Sequence, residues 1–207
     1  MTTRYLRRYG DATRMNHWFV VLMFLAAALS GLPLLHPSLY FFSNVAGGGS
    51  WARILHPYMG VLMVLGFTLM FFTMWRDNLL NADDGRWMAN ASRMLKGDKS
   101  NMPPIGKYNA GQKIVFWMFG LSLLLLFVSG FVFWRPWFVG FFPILLRRIA
   151  VVVHAASAVV LVLSVIVHVY AALWIKGTMR AMTRGTVTEN WARFNHPLWH
   201  RKMTGGE

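Results

Sequence analysis

The chain contains no cysteine. That absence excludes disulfides, thiolate metal sites and cysteine-ligated iron–sulfur clusters, and it leaves the redox compartment unreadable. Acidic residues are scarce as well: seven Asp and Glu stand against 21 Lys and Arg, a formal charge of +14. Any metal bound here must therefore rely on histidine, methionine or one of those few carboxylates. Internal repeats and low-complexity tracts are missing apart from the Gly47–Gly49 run. A soluble chain this basic would point to nucleic acid. Here 56% of the 207 residues are hydrophobic, and the basic residues flank apolar runs too long for a soluble core. The composition is that of a membrane protein in contact with lipid, and no nucleic acid partner is expected.

Four runs are long enough to span a bilayer, which takes ~20 apolar residues at ~1.5 Å rise each. They cover about 16–35, 54–75, 111–134 and 148–175. The basic start followed by LAAALSG loosely matches a signal peptide, but it reads better as a retained helix, because cleavage would discard His17. The loop HPSLYFFSNVAGGGSWAR after the first span is aromatic and suits an interface. In the second span His56 is expected in the first helical turn with Pro57 just after it, where a missing N–H leaves no bond unmade. The polar stretch 76–109 has room for a short amphipathic helix around Gly85–Leu95. Arg135-Pro136 ends the third span, and Trp137–Leu146, broken by Gly140 and Pro143, is expected in the interface. Residues 177–207 form a polar, basic tail. The fold class predicted is all-α: one integral membrane four-helix bundle over 1–207, without a second domain.

Four spans place both termini on one side. Only Arg53, Arg135, Arg147 and Arg148 of the 21 basic residues then fall on the other side, so the termini are expected in the cytoplasm. Depth now sorts the histidines. His154 and His168 are fourteen residues apart on the fourth span. That is close to four whole turns, or ~21 Å, so both rings leave nearly the same face at opposite membrane sides. His17 opens the first span at the cytoplasmic side and His56 opens the second at the outer side. Two pairs at matched depth result, His17 with His168 and His56 with His154. A b-type haem takes two imidazoles on opposite faces, supplied by facing helices, so two haem b groups are predicted. The small residues Ala155, Ala156, Ser157 and Ala158 would let a flat ring approach the backbone. Arg14, Arg53 and Arg148 are candidate propionate partners at the membrane edges.

The other histidines are read conservatively. His36, followed by Pro37, is a loop residue. His196 and His200 are spaced i,i+4 with Pro197 between them and no third ligand evident, so no metal is assigned there. The fourteen methionines read as packing or lipid-facing residues. A histidine proton relay in a small transporter is the reading from another class; the absence of a Soret band would mark it.

The motifs RMNHW (14–18), RILHPYMGV (53–61), GKYNAGQK (106–113), WRPWF (134–138), HAASA (154–158) and HVYAALWIKG (168–177) follow one another in order. Together they resemble the membrane cytochrome b (gamma) subunit of bacterial respiratory formate dehydrogenases. The resemblance runs from about Arg14 to Trp199. It implies an inner-membrane subunit with two b haems, His56 and His154 holding the outer one and His17 and His168 the inner one. It also implies partners: an iron–sulfur beta subunit and a catalytic alpha subunit with molybdenum or tungsten, which oxidises formate outside the cytoplasmic membrane. Electrons would pass inward to a quinone, menaquinone or ubiquinone, near the inner haem. Tyr108–Gln112 matches the family's quinone segment, with Asn109 as the carbonyl contact beside Gly111 and Gln112. The same run is also what a helix N-terminus capped by Asn109 would look like. The related layout in cytochrome b subunits of nickel–iron hydrogenase or thiosulfate reductase is the alternative, separated by which soluble subunits co-purify.

Overall fold

The computed structural model describes residues 3–95, 102–135 and 137–205. Pro136, part of the loop expected over 76–109, and the end of the tail lie outside them. In chain order the elements are β1 (Tyr5–Arg7), α1 (Asp11–Leu35), α2 (Gly49–Met74), α3 (Ala82–Ala89), α4 (Ala91–Leu95), α5 (Ala110–Phe133), α6 (Ile144–Trp174), α7 (Met179–Arg184), β2 (Thr186–Thr188), α8 (Glu189–Asn195) and α9 (Pro197–Thr204). The chain is mostly helical, and α1, α2, α5 and α6 are each long and apolar enough to cross a membrane. They contain the four expected spans almost whole.

Three of these helices start earlier than the apolar runs do, each for a local reason. Helix α1 opens at Asp11, whose carboxylate faces the helix N-terminus favourably and pairs with Arg14 at 2.8 Å. Helix α2 opens at Gly49, straight after Gly47 and Gly48, which take φ of +82° and +101°. Only glycine adopts such a turn freely. The Gly47–Gly49 run thereby acquires a purpose, since a Cβ at Gly49 would also lie 2.6 Å from the Tyr40 hydroxyl. The earlier start corrects the expected placing of His56 and Pro57: both lie inside α2, not in its first turn, and Pro57 leaves the carbonyl one turn back without its helical donor. Helix α6 opens at Ile144, just after Pro143, so Ile144–Leu146 belong to it. Of the expected interfacial segment, a short 3₁₀ turn at Val139–Phe141 is left.

The chain divides into two compact units. The helical unit is made of Met15–Phe72 and Met118–Ser164, the greater part of α1, α2, α5 and α6. Helices α1 and α2 approach closely at Gly66, where a Cβ would meet Val20 at 2.8 Å, and Asn16 donates to the Gly66 carbonyl at 2.8 Å. Phe71 and Phe67 of α2 lie against Gly120 of α5. The buried positions are small or polar as often as apolar: Ala27, Ser30, Ser122, Ser129, Ala150 and Ser157. Large apolar side chains such as Leu65, Leu69, Leu121, Leu124 and Val152 point outward. This is the inverse of a water-soluble core and suits a lipid solvent, where small residues let helices approach.

The terminal unit comprises the N-terminal residues to Arg14, Thr73–Trp117 and the chain from Val165 onward. The tail expected to be merely polar and basic is folded here. Strand β1 pairs antiparallel with β2, Leu6 opposite Val187, which adds a short ribbon to the all-α reading. Leu6, Ala181, Val187, Ala192 and Trp199 form its buried apolar cluster. Gly185 turns the chain into β2 at φ +74°, and Thr188 caps α8 through the Trp191 N–H. The short amphipathic helix expected around Gly85–Leu95 is two helices, α3 and α4, parted at Asn90. Asn81 and Asp84 close a capping box at the start of α3, and Asp84 also holds Lys113 of α5 in a buried ion pair at 2.8 Å.

Candidate functional site

Two of the four expected histidine ligands meet inside the helical unit. The His56 ring on α2 and the His154 ring on α6 lie with centroids 6.1 Å apart and planes at 71°. Each ring is seated by the same device. His56 Nδ1 donates to the Ala27 carbonyl at 3.0 Å, with the Ser30 hydroxyl at 3.3 Å. His154 Nδ1 donates to the Ser129 hydroxyl at 3.0 Å. Both serines give their own proton to a carbonyl four residues back, Ala26 and Leu125. A carbonyl and a committed hydroxyl can only accept, so each Nδ1 carries the hydrogen and each Nε2 keeps its lone pair. No hydrogen bond among the described residues engages either Nε2.

Glycine makes the room. A Cβ on Gly31 would lie 2.6 Å from His56 Cε1, and one on Gly130 would lie 3.2 Å from His154 Cε1. The Ser30-Gly31 and Ser129-Gly130 pairs thus serve the two rings alike: serine orients, glycine clears space. The sequence reading looked for small residues beside His154 itself and missed these two dipeptides. The signal was available as the same Ser-Gly step on two separate spans.

This donor set fits a haem iron. An imidazole nitrogen binds a metal at about 2.0 Å and the ring centroid lies about 1.1 Å behind it, so two rings on opposite sides of one iron sit about 6.2 Å apart. The observed 6.1 Å matches. The second-nitrogen hydrogen bond to a carbonyl or hydroxyl is also what orients a ligating histidine.

His17 and His168, the other expected pair, fall in different units, His17 in the helical unit and His168 in the terminal one. His17 is half-buried on α1 with Trp18 edge-on at 5.3 Å, and His168 stands on α6. Arg14 is already engaged, donating to Asp11 and to the Thr183 carbonyl, each at 2.8 Å. Arg53 and Arg148 are exposed and, among the described residues, form no ion pair. His196 is buried and bonded through Nδ1 to the Gly106 carbonyl at 2.8 Å, while His200 faces Glu189 at 3.1 Å. Among the described residues no three His, Asp or Glu gather as a metal cluster.

Asn109 caps α5. Its side-chain oxygen accepts from the Gln112 N–H at 2.9 Å, and the Gln112 side-chain oxygen accepts from the Asn109 N–H at 3.0 Å. Gly111 lies under Trp87, where a Cβ would stand 3.2 Å from the indole. The two oxygens are thereby used, while both side-chain amide NH2 groups keep their donors. These two residues line a cleft of about 160 Å³ in the terminal unit, with Ile105, Ile175, Thr178, Trp191 and His196 around it. The capping reading and the ligand reading of this segment are therefore compatible: oxygens cap, nitrogens stay available.

Comparison with known proteins bears on the whole chain. A sequence model described as prokaryotic cytochrome b561 matches residues 8–185. The chain is 43% identical over 196 residues to the formate dehydrogenase cytochrome b556(fdo) subunit of Escherichia coli (strain K12), covering 95% of this chain and 92% of that one. It is 35% identical over 194 residues to the nitrate-inducible formate dehydrogenase cytochrome b556(Fdn) subunit of the same strain, covering 94% and 89%. It is 36% identical over 195 residues to the formate dehydrogenase cytochrome b556 subunit of Haemophilus influenzae, covering 94% and 82%.

Proposed function

We propose that this chain, which belongs to the prokaryotic cytochrome b561 family, is the membrane cytochrome b subunit of a respiratory formate dehydrogenase and carries electrons from its partner subunits to quinone. The observation that carries this reading is the His56–His154 pair, two imidazoles on facing helices at the spacing of one shared iron. A bis-imidazole b haem takes up and gives back single electrons without bond chemistry on the protein. His56 and His154 hold the outer haem; Ala27, Ser30 and Ser129 set their tautomers; Gly31 and Gly130 keep the rings' space open. His17 and His168 hold the inner haem, so the whole chain is one di-haem domain.

The termini lie in the cytoplasm. Of the 21 basic residues only Arg53, Arg135, Arg147 and Arg148 stand on the far side of the four spans, as the positive-inside rule requires of a multi-pass inner-membrane protein. Electrons from formate, oxidised on a molybdenum or tungsten subunit, reach this chain through an iron–sulfur subunit at the outer face. They leave to menaquinone or ubiquinone in the Asn109–Gln112 cleft. Each electron moved inward against the membrane potential stores ~2.3 kcal/mol per 100 mV. Arg53 and Arg148, exposed and without ion pairs, are the freer propionate partners; Arg14 would have to leave Asp11.

Purifying the intact complex tests this reading. Pyridine haemochrome analysis should give two haem b per chain, the co-purifying proteins should include iron–sulfur and formate-oxidising subunits, and formate should reduce both haems. Hydrogenase or thiosulfate reductase subunits in their place, or a colourless preparation, would sink it.

A further inference from the structure

The geometry points to a second wall of the quinone site, contributed by the C-terminal segment: the Thr178 hydroxyl and the Trp191 indole N–H bind the quinone head group opposite Asn109 and Gln112. This rests on the quinone reading of the cleft and goes beyond it, since neither residue belongs to the NAGQ run.

Both residues line the cleft. Both carry a buried polar atom, Thr178 Oγ1 and Trp191 Nε1, that has no hydrogen-bond partner in the protein. A buried donor left unmatched is costly, about 1–3 kcal/mol, and such atoms are ordinarily matched by water or ligand. The contrast with Thr188 is instructive. Thr188 precedes α8 and its side chain accepts from the Trp191 N–H at 3.2 Å, the ordinary work of a threonine in that place. Thr178 precedes α7 and its side chain caps nothing. Its hydroxyl is not needed by the fold.

The wall is also built to be rigid and electropositive. Gly177, at φ +92°, lets the Trp191 ring lie within 3.4 Å of where its Cβ would be, measured at Nε1. On the Trp191 ring stands the Arg8 guanidinium, 5.2 Å from the centroid. Arg8 is 8% exposed, pairs with no carboxylate among the described residues, and donates to the Lys107 carbonyl. Its charge, lodged among Tyr9, Tyr108, Trp191 and Trp199, favours an electron-rich occupant on the other side of the indole. A quinone offers two carbonyl oxygens on opposite edges. The amide NH2 groups of Asn109 and Gln112 take one, and Thr178 with Trp191 takes the other.

The test uses the complete detergent-solubilised complex and two quinones with short tails, one benzoquinone and one naphthoquinone. Binding is measured by equilibrium dialysis on wild type, Thr178→Val, Trp191→Phe and Asn109→Ser. Melting of the quinone-free complexes and haem content are measured beside it. Thr178→Val and Trp191→Phe should each weaken binding about five- to tenfold, the loss of one hydrogen bond. Because the atoms removed have no partner in the protein, the quinone-free melting temperature should stay level or rise. Unchanged affinity in both variants, with Asn109→Ser weakened, overturns the second wall and leaves the quinone reading standing. Affinity unchanged in all three overturns both. Weaker binding together with a lower melting temperature in both variants also overturns it, by showing the two atoms to be part of the fold's own framework.

Discussion

The histidine pair in the helical unit and the cleft in the terminal unit treat their polar atoms in opposite ways. At the pair, every ring nitrogen except the two Nε2 atoms is matched by the protein, through Ala27, Ser30 and Ser129. At the cleft, the Asn109 and Gln112 oxygens are matched to each other, but a hydroxyl, an indole N–H and two amide groups are left over. The difference suits permanent against exchangeable occupants. A prosthetic group that never leaves can have its ligands locked in one tautomer and one rotamer. A substrate that comes and goes needs donors that the protein can leave unpaired between visits, at a modest cost in stability.

The largest effect should come from breaking the pair. His154→Ala removes one of two ligands and leaves His56 facing an open coordination position. Haem content should fall from two to about one per chain by pyridine haemochrome analysis, with formate no longer reducing the haem that is left. Two haems in this variant would mean that His56 and His154 do not share an iron.

Next come the glycines. Gly31→Ala places a methyl 2.6 Å from the His56 ring, while Gly130→Ala places one 3.2 Å from His154, a contact that a small shift relieves. Overpacking of this kind costs about 1–3 kcal/mol. Gly31→Ala should therefore lose outer haem or shift its midpoint potential by much more than Gly130→Ala does. Equal effects in a redox titration would show that the rings are not held as tightly as the Ser-Gly steps imply.

Asn109 allows the two jobs of one side chain to be separated. Asn109→Ser keeps an N-cap oxygen, so α5 and the melting temperature should change little. It deletes the amide donors. Quinone reduction should slow about tenfold while formate still reduces both haems, which then stay reduced because their exit is blocked. Asn109→Leu should repeat that block and also lose the cap, about 1 kcal/mol. If Asn109→Ser reduces quinone at the wild-type rate, this residue is a cap and nothing more.

The smallest effect is a pH limit in the terminal unit. Burial, and then the neighbouring Tyr9 at 3.1 Å, push the Tyr108 hydroxyl well above its ordinary value. The folded state then keeps a proton that the unfolded state releases from about pH 10 upward, so stability falls as pH rises past that point. Below it Tyr108 is protonated in both states and contributes no pH dependence. Tyrosinate absorbance at 295 nm, differenced against Tyr108→Phe, should show Tyr108 ionising only as this unit opens. Ionisation at the ordinary value would place Tyr108 at the surface.

Much of this was legible from the residues alone because a bilayer is a demanding solvent. It needs runs of ~20 apolar residues, and any histidine inside them is expensive enough to have a reason. The four spans, the His56–His154 partnership and the identity of the segment at Asn109 followed from run length, spacing and motif. The residues around those landmarks depended on the fold. Gly31 and Gly130 lie 25 and 24 positions from the rings they clear, as do Ser30 and Ser129 from the nitrogens they accept, and no local pattern connects them. The start of α2 depended on two left-handed glycines in what read as a loop. The tail's composition signalled only charge, whereas its pairing with β1 and the wall it lends the cleft depend on contacts between chain ends more than 170 residues apart, Leu6 with Val187. Hydrophobicity is a property of each residue and survives in the one-dimensional chain. Which polar atom finds a partner, and which is left waiting for one, is a property of three-dimensional packing.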